Sequence, residues 1–298
     1  MTMIKASMRR VHRMHHHHSH GHHHKGHRRH KQEEEERRTI TTANTGSSID
    51  DGMREGEEGK PKKGKKGKVQ PGAMVMADLW KYNLVSKTWN AVNIGGVVPV
   101  HRYLHAAVSV NDGNKDSKKR KYQMVLYGGV SWTNEILKDV WVFDPLKGTW
   151  LEAVPKGDDP LEREGHTMCL VPTKGQGDKL LVFGGISYDF APYNDVMEYS
   201  VVKNKWTKVK ATGDKPEPRW LHTAVMDGPP QGKTPGSVNW SGYKAKMYVY
   251  GGVTFGGSPL DSLFEFDVTK KKWRRMKMGG YPPFPRMLHS SVYAYGKL

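Results

Sequence analysis

The chain has 298 residues, of which 36% are hydrophobic, and it is therefore long enough to bury a sizeable core. Its formal net charge is +18. Cys169 is the single cysteine; a disulfide-stabilised scaffold is therefore excluded, and we expect a reducing compartment, the cytoplasm or the nucleus. No run of about 18 apolar residues is present, so no membrane-spanning helix is predicted, and the N-terminus lacks the apolar core of a secretory signal peptide.

The first segment, residues 1–73, is predicted to be a disordered tail, because it has few large apolar residues and many charges. It contains eleven His between His12 and His30, an acidic block at Glu33–Glu36 and six Lys in Lys60–Lys68. The His tract offers imidazole ligands to Zn²⁺, Ni²⁺ or Cu²⁺, but no folded structure is expected to set their geometry, so no metal site is assigned. The Lys block is interpreted as a solvated linker, a nuclear-import signal, or a segment that contacts nucleic acid or an anionic membrane.

Four copies of one residue skeleton follow the tail. Each copy has an aromatic residue, a Trp seven positions later, a Pro ten positions after the Trp, and then an Arg and a His at intervals of three. The copies are Tyr82-Trp89-Pro99-Arg102-His105, Phe143-Trp150-Pro160-Arg163-His166, Tyr199-Trp206-Pro216-Arg219-His222 and Phe266-Trp273-Pro283-Arg286-His289. The intervals between the Trp residues are 61, 56 and 67 residues. A fixed pattern with a period near 60 indicates a repeat architecture.

Glycine doublets and strand-like runs belong to the same pattern. The doublets are Gly128-Gly129, Gly184-Gly185 and Gly251-Gly252. Each ends an apolar run (MVLYGG, LLVFGG, MYVYGG), and Asp139, Asp195 or Ser262 follows ten residues after the second glycine. These runs, and the alternating segments VWVFD, VMEYS and LFEFD, are typical of short strands. Each unit therefore offers four strands, which predicts an all-β fold built from the blades of a β-propeller.

The inventory of predicted strands is incomplete at both ends. Three complete blades are predicted at about 103–153, 164–210 and 220–277. Before them, ADLWKYNLVSKTWNAV supplies only a third and a fourth strand, and after them LHSSVYAYGKL supplies only a first strand. Because a propeller usually needs at least four blades, we expect residues 74–298 to be an incomplete propeller. Such a region is a fragment, or it is completed by self-association or by a partner chain that covers its open edges.

The glycine doublet, the aromatic residue seven positions before a Trp, and the period resemble the Kelch repeat, a β-propeller class that also includes the central domain of galactose oxidase. The resemblance covers roughly residues 78–298. It implies a propeller fold, but it does not imply one function, because function in such folds is carried by the loops.

The repeated residues have an architectural interpretation. The glycines permit a sharp turn at the end of the second strand. The four Trp residues are predicted to stack between adjacent blades together with the aromatic residues that precede them; they are Trp89, Trp150, Trp206 and Trp273. Two interpretations of the four Arg residues remain open. Either their guanidinium groups donate hydrogen bonds to the neighbouring backbone, or they form a ring that binds an acidic partner. The four residues are Arg102, Arg163, Arg219 and Arg286.

One face of the propeller is the predicted binding surface. In an up-and-down blade, the loops between strands two and three emerge on the same side as the loops between blades. The former begin with an aliphatic residue, Ser or Thr, and then an aromatic residue, which is Trp132, Tyr188 or Phe255. Aromatic and Arg residues together are typical of a protein interface. The alternative is that these aromatic side chains pack down over their own loops.

The function predicted from these features is a non-enzymatic protein-interaction module or scaffold, which binds a partner protein, an acidic or hydroxyl-rich peptide, on that face. No catalytic residue and no cofactor is assigned. The first alternative is an enzyme of the galactose oxidase kind, whose copper site, as the resemblance implies, needs His and Tyr ligands and a Cys joined to a Tyr; Cys169 lies inside a predicted repeat strand instead. The second alternative is a basic-tailed protein that contacts nucleic acid or anionic membrane through Lys60–Lys68.

Overall fold

The computed structural model describes residues 76–111, 121–173, 177–228 and 242–298. The predicted tail of residues 1–73, with its His and Lys tracts, lies outside the described residues. Within the described ranges the regular elements are strands, which confirms the all-β fold. In chain order they are β1 (Trp80–Asn83), β2 (Thr88–Ala91), β3 (Arg102–Tyr103), β4 (Ala106–Asn111), β5 (Tyr122–Tyr127), β6 (Val130–Ser131), β7 (Val140–Asp144), β8 (Thr149–Ala153), β9 (Lys156–Gly157), β10 (Thr167–Val171), β11 (Lys179–Phe183), β12 (Val196–Ser200), β13 (Lys205–Lys208), β14 (Thr212–Gly213), β15 (Thr223–Met226), β16 (Lys246–Tyr250), β17 (Leu263–Asp267) and β18 (Lys272–Arg275).

Three antiparallel sheets occupy the three predicted intervals. Blade 1 consists of β4, β5, β7 and β8, blade 2 of β10 to β13, and blade 3 of β15 to β18, each in the order of the chain. The hairpin β1–β2 forms the predicted third and fourth strands that precede blade 1. Because each strand pairs with the next one along the chain, short loops are enough to build every blade.

A short parallel strand that the sequence did not predict extends blades 2 and 3. After β8, the chain runs along the outer strand of blade 2, so that β9 pairs with β13, and β14 pairs with β18 in the same way. Gly95 makes the equivalent bridge to Thr149 in blade 1. The link between blades therefore covers part of an outer edge that would otherwise expose unpaired backbone groups.

The predicted first strand at the C-terminal end, residues 288–298, is not formed, and this prediction was wrong. The segment contains only an isolated bridge between Ala294 and Lys297. A first strand is held by the second strand of its own blade, and no such strand follows among the described residues. The segment is nevertheless fixed at its start, since the N–H of Leu288 donates to the carbonyl of Leu221 at 3.0 Å.

The hydrogen bond between Leu288 and Leu221 is one of a series that joins successive blades. In each, the residue before one repeated His donates its N–H to the carbonyl of the residue before the previous repeated His. Gly165 donates to the carbonyl of Leu104 at 2.9 Å, and Leu221 donates to the carbonyl of Gly165 at 2.8 Å. All four residues have positive φ, including the three leucines at 53° to 56°. A leucine is strained in this region of φ, so the links between blades hold the backbone in a conformation that the side chain disfavours.

The hydrophobic core lies between the blades. One cluster joins blades 1 and 2 and contains Val125, Tyr127, Leu180 and Trp206 among its buried members. A second cluster joins blades 2 and 3. Each blade therefore buries its faces against its neighbours, as in other repeat proteins, and no blade has a complete core of its own.

The two fully buried Trp residues of the repeat lie in these clusters. Trp206 contacts Tyr199 of its own blade, with ring centroids 4.8 Å apart, and Tyr127 of blade 1, at 4.9 Å. Trp273 repeats this arrangement with Phe266 at 4.8 Å and Phe183 of blade 2 at 4.9 Å. The other two are Trp150, which is half-buried, and Trp89, which is 65% exposed. Burial of the repeated Trp thus depends on the preceding blade.

The glycine doublets occupy backbone positions that no other residue fits. Gly128 and Gly129 have φ of 63° and 91°, and the doublets of blades 2 and 3, Gly184-Gly185 and Gly251-Gly252, have nearly the same values. A Cβ on Gly128 would lie 2.8 Å from the carbonyl oxygen of Arg163, and one on Gly129 would lie 2.7 Å from that of Tyr103. Both the positive φ and the close approach of backbone therefore require glycine.

Candidate protein-binding face

The loops after the glycine doublets and the loops between blades are joined by backbone hydrogen bonds. Gly129 donates to the carbonyl of Arg163 at 2.9 Å, and Arg163 donates to the carbonyl of Leu137 at 3.2 Å. Blade 2 repeats both contacts around Arg219, and blade 3 repeats them around Arg286. The two sets of loops therefore form one continuous face, which we call the doublet face.

The doublet face presents the three predicted aromatic side chains to solvent. Trp132 is 66% exposed, Tyr188 is 67% exposed and Phe255 is 60% exposed. In blade 1 the loop that carries Trp132 is held by Ser131, whose hydroxyl accepts from the N–H of Glu135 at 3.1 Å. The three rings are therefore largely exposed to solvent, and the loop that carries Trp132 is held by hydrogen bonds.

Three of the four repeated Arg side chains are buried, namely those that come just before blades 1, 2 and 3. They are Arg102, Arg163 and Arg219. Arg102 donates to both carboxylate oxygens of Asp139, at 2.6 and 2.7 Å, and to the carbonyl of Gly128 at 3.0 Å. Arg163 makes the same set of contacts in blade 2, with 2.9 and 3.1 Å to Asp195. Such bidentate pairs hold the glycine turn against the start of the third strand.

Blade 3 holds its arginine differently, because Ser262 replaces the aspartate. Arg219 donates to the hydroxyl of Ser262 at 3.1 Å and to a carboxylate oxygen of Glu217 at 2.6 Å. Burial lowers the pKa of Arg219 to about 10, and the charge of Glu217 opposes that shift. A carboxylate two residues away in the chain thus substitutes for the one that the third strand lacks.

Arg286 alone among the four is exposed. Its Nε donates to the carbonyl of Phe284 at 3.0 Å, and a cavity of about 450 Å³ beside it is also lined by Tyr250 and His289. The glycine doublet and the aspartate that would follow in a further blade are not among the described residues. Three of the four predicted Arg residues are therefore occupied within the fold, and among these four only Arg286 is exposed.

Three of the four repeated His side chains lie beside the aromatic residue that ends a second strand. His166 and His222 are buried there and His289 is half-buried, whereas His105 is exposed. His222 lies edge-on to Phe183 with centroids 5.2 Å apart, and its Nε2 is 2.9 Å from the hydroxyl of Thr167. His289 pairs with Thr223 at the same distance. Burial, followed by the charge of Arg219, lowers the pKa of His222 to about 3, so the imidazole is neutral at physiological pH. These contacts indicate a structural role for His222 and His289.

A groove that the sequence did not predict lies on the doublet face between blades 1 and 2. Its volume is about 470 Å³, and its lining residues are Thr133, Asn134, Glu135, Ile136, Glu162 and Tyr188. Tyr188 is one of the predicted aromatic residues, whereas the two glutamates were not singled out. A comparison of the repeats position by position would have found them, because the other copies have no acidic residue at either position.

Two further observations concern metal and membrane. Among residues 76–111, 121–173, 177–228 and 242–298, no group of three or more His, Cys, Asp or Glu side chains is placed to hold a metal ion. Over the same part of the chain, no helix has the length and hydrophobicity needed to cross a membrane.

Comparison with known proteins agrees with this architecture. The chain is 26% identical over 226 residues to "Putative protein tag-53" of Caenorhabditis elegans, and the aligned region covers 72% of this chain and 15% of that protein. It is 25% identical to "Host cell factor" of Drosophila melanogaster over 241 residues, 75% of this chain and 14% of that protein. It is 29% identical to "Host cell factor homolog hcf-1" of Caenorhabditis elegans over 240 residues, 74% of this chain and 27% of that protein.

The chain thus spans between 14% and 27% of the length of these curated relatives. The family model of the Attractin/LZTR1 beta-propeller matches residues 72–298, which contain all four copies of the repeated skeleton. This match confirms the predicted Kelch-type propeller. From residue 72 onward, the chain belongs to the Attractin/LZTR1 beta-propeller family.

Proposed function

We propose that this chain is a non-enzymatic interaction module that binds a partner protein on the doublet face. The observation that carries the proposal is the exposure of Trp132, Tyr188 and Phe255 at equivalent positions of three successive blades. Large aromatic side chains on loops that are held by hydrogen bonds lose little conformational freedom on binding, and such residues are enriched at the centres of interfaces.

The environment of the single cysteine supports a binding module over a copper oxidase of the galactose oxidase kind. Cys169 is buried in β10, within the core between blades 2 and 3. Burial raises the pKa of its thiol to about 12. A thiol in this position is neutral and lies within a hydrophobic cluster, away from the loops on which such a copper site would be built.

The test compares two triple variants of the full-length chain. Trp132→Ala/Tyr188→Ala/Phe255→Ala removes the aromatic rings from the doublet face. The matched control, Val85→Ala/Leu146→Ala/Val202→Ala, removes side chains that are 93%, 78% and 57% exposed. These three also occupy equivalent repeat positions, but they lie in the turns between third and fourth strands, at the opposite ends of the blades.

Parent and variants are used as baits in quantitative affinity purification, and each protein recovered with the parent is then titrated against all three baits. We expect at least one protein that binds the parent and the control equally and binds the aromatic variant at least tenfold more weakly, which corresponds to about 1.4 kcal/mol. Equal affinity for all three baits would remove the doublet face from the proposal. Equal melting temperatures for all three baits would show that the substitutions leave the fold intact.

A further inference from the structure

The groove between blades 1 and 2 differs in charge from the domain that contains it. Residues 78–298 carry 31 Lys and Arg against 21 Asp and Glu, whereas the residues that line the groove include Glu135 and Glu162 and no basic residue. The ring of Tyr188 forms one wall, and Thr133 and Asn134 add polar groups. The groove is therefore a locally acidic, partly aromatic site on a basic protein.

The two glutamates are not part of the repeat. The positions equivalent to Glu135 in blades 2 and 3 hold Ala191 and Ser258, and those equivalent to Glu162 hold Pro218 and Pro285. Residues that the architecture needs, such as the glycine doublet, are present in every complete blade. Since blades 2 and 3 form without these carboxylates, the fold does not require them.

Neither carboxylate is neutralised by an ion pair among the residues that the structure describes. Lys138 is close enough for the charge of Glu162 to act on it, but its ammonium group is bound to Asp159 at 2.8 Å. The backbone of Glu135 is held at both of its polar groups, since its carbonyl accepts from the N–H of Ser131 at 2.8 Å and its N–H donates to the Ser131 hydroxyl. Glu135 is exposed and Glu162 is half-buried. Two negative charges are thus available at the groove.

We infer that this groove binds a Lys or Arg side chain on an extended segment of the partner protein. A cation there would pair with Glu135 and Glu162 and would lie beside the ring of Tyr188, which adds a cation–π contact. The inference rests on the proposed function and names the chemistry of the partner. The sequence suggested an acidic peptide instead, bound by the four repeated Arg residues. Three of those Arg residues are buried in contacts of the fold.

The test uses two labelled nine-residue peptides and measures fluorescence anisotropy at physiological ionic strength. One peptide consists of three Gly-Ser-Arg units, and the other has Glu in place of each Arg. The full-length parent is compared with Glu135→Gln/Glu162→Gln and with a control, Glu152→Gln/Asp214→Asn, which removes the same charge from exposed carboxylates outside the groove. We expect the Arg peptide to bind the parent and the control equally and the groove variant about tenfold more weakly.

Equal affinity of the Arg peptide for the two double variants would overturn the inference, because the attraction would then follow net charge alone. Failure of the Arg peptide to bind the parent more tightly than the Glu peptide would overturn it as well. A natural partner that loses affinity for the aromatic triple variant but not for Glu135→Gln/Glu162→Gln would leave the proposed function standing and refute the basic segment. The two proposals therefore fail in different experiments.

Discussion

The contact between blades 1 and 2 lacks a threonine hydroxyl that the two equivalent contacts have, and one substitution can introduce it. His222 and His289 each have Nε2 at 2.9 Å from the Thr that begins the first strand of the preceding blade, Thr167 or Thr223. The equivalent residue for His166 is Ala106. The Nε2 atom of His166 is buried without a hydrogen-bond partner among the described residues. Ala106→Thr would place a hydroxyl where the other two blades have one.

The register of the strands supports this substitution. Ala106 pairs with Tyr127, just as Thr167 pairs with Phe183 and Thr223 with Tyr250. A threonine at position 106 is therefore expected to point its hydroxyl at His166. Because a hydrogen bond to a buried polar group contributes about 1 kcal/mol net, Ala106→Thr should be about 1 kcal/mol more stable than Ala106→Val, which has the same shape but no hydroxyl. For a domain of this size, that difference raises the melting temperature by about 2–4 °C.

The assay is urea unfolding followed by Trp fluorescence, with calorimetry for the melting temperatures. The reverse substitution, Thr167→Val, removes the hydroxyl from His222 and should destabilise the protein by about 1 kcal/mol or more, since it leaves a buried imidazole nitrogen unpaired. Equal stability of Ala106→Thr and Ala106→Val, together with an unchanged Thr167→Val, would refute the argument that these contacts stabilise the joints between blades.

Two further predictions concern the same joints. Trp206→Ala should lower the free energy of unfolding by about 3–5 kcal/mol because it opens a cavity between blades, whereas Trp89→Ala, at a side chain that is 65% exposed, should cost less than about 1 kcal/mol; equal losses in urea unfolding would contradict the packing described. The second concerns pH. His222 has a pKa of about 3 in the folded protein, so below about pH 6.5 the unfolded chain binds a proton at this residue that the folded protein does not. The contribution of His222 to stability should therefore fall by about 1.4 kcal/mol per pH unit. His222→Gln should show a shallower loss than the parent between about pH 6.5 and pH 4.5, and parallel curves would show that this imidazole does not contribute.

Much of the fold follows from features that are local in the sequence. A glycine doublet ends a strand because of its own φ values, and the alternation in VWVFD sets two faces wherever that strand lies. For this reason the three intervals of four strands were predicted correctly. The short strands β9 and β14 were not, because a two-residue parallel pairing depends on where the neighbouring blade stands, and two residues carry no periodic pattern.

The same distinction applies at the C-terminal end and among the Arg residues. Residues 288–298 have the composition of a strand, but a strand needs a partner to satisfy its backbone, and composition says nothing about that partner. The identical spacing of the four Arg residues left two interpretations open. The bidentate contacts of Arg102 and Arg163 with aspartates 37 and 32 residues away place them inside the fold.

The repeat thus determined by itself that this chain builds propeller blades, because each blade depends on turns and side-chain alternation within about 60 residues. Only the tertiary structure decided which repeated residues face solvent, since burial depends on the neighbouring blade. It also brought Glu135 and Glu162 to one groove with Tyr188, although these residues come from three different loops. Sites of this kind form where separate loops meet, and the meeting of loops is set by the packing of whole blades and not by any one segment.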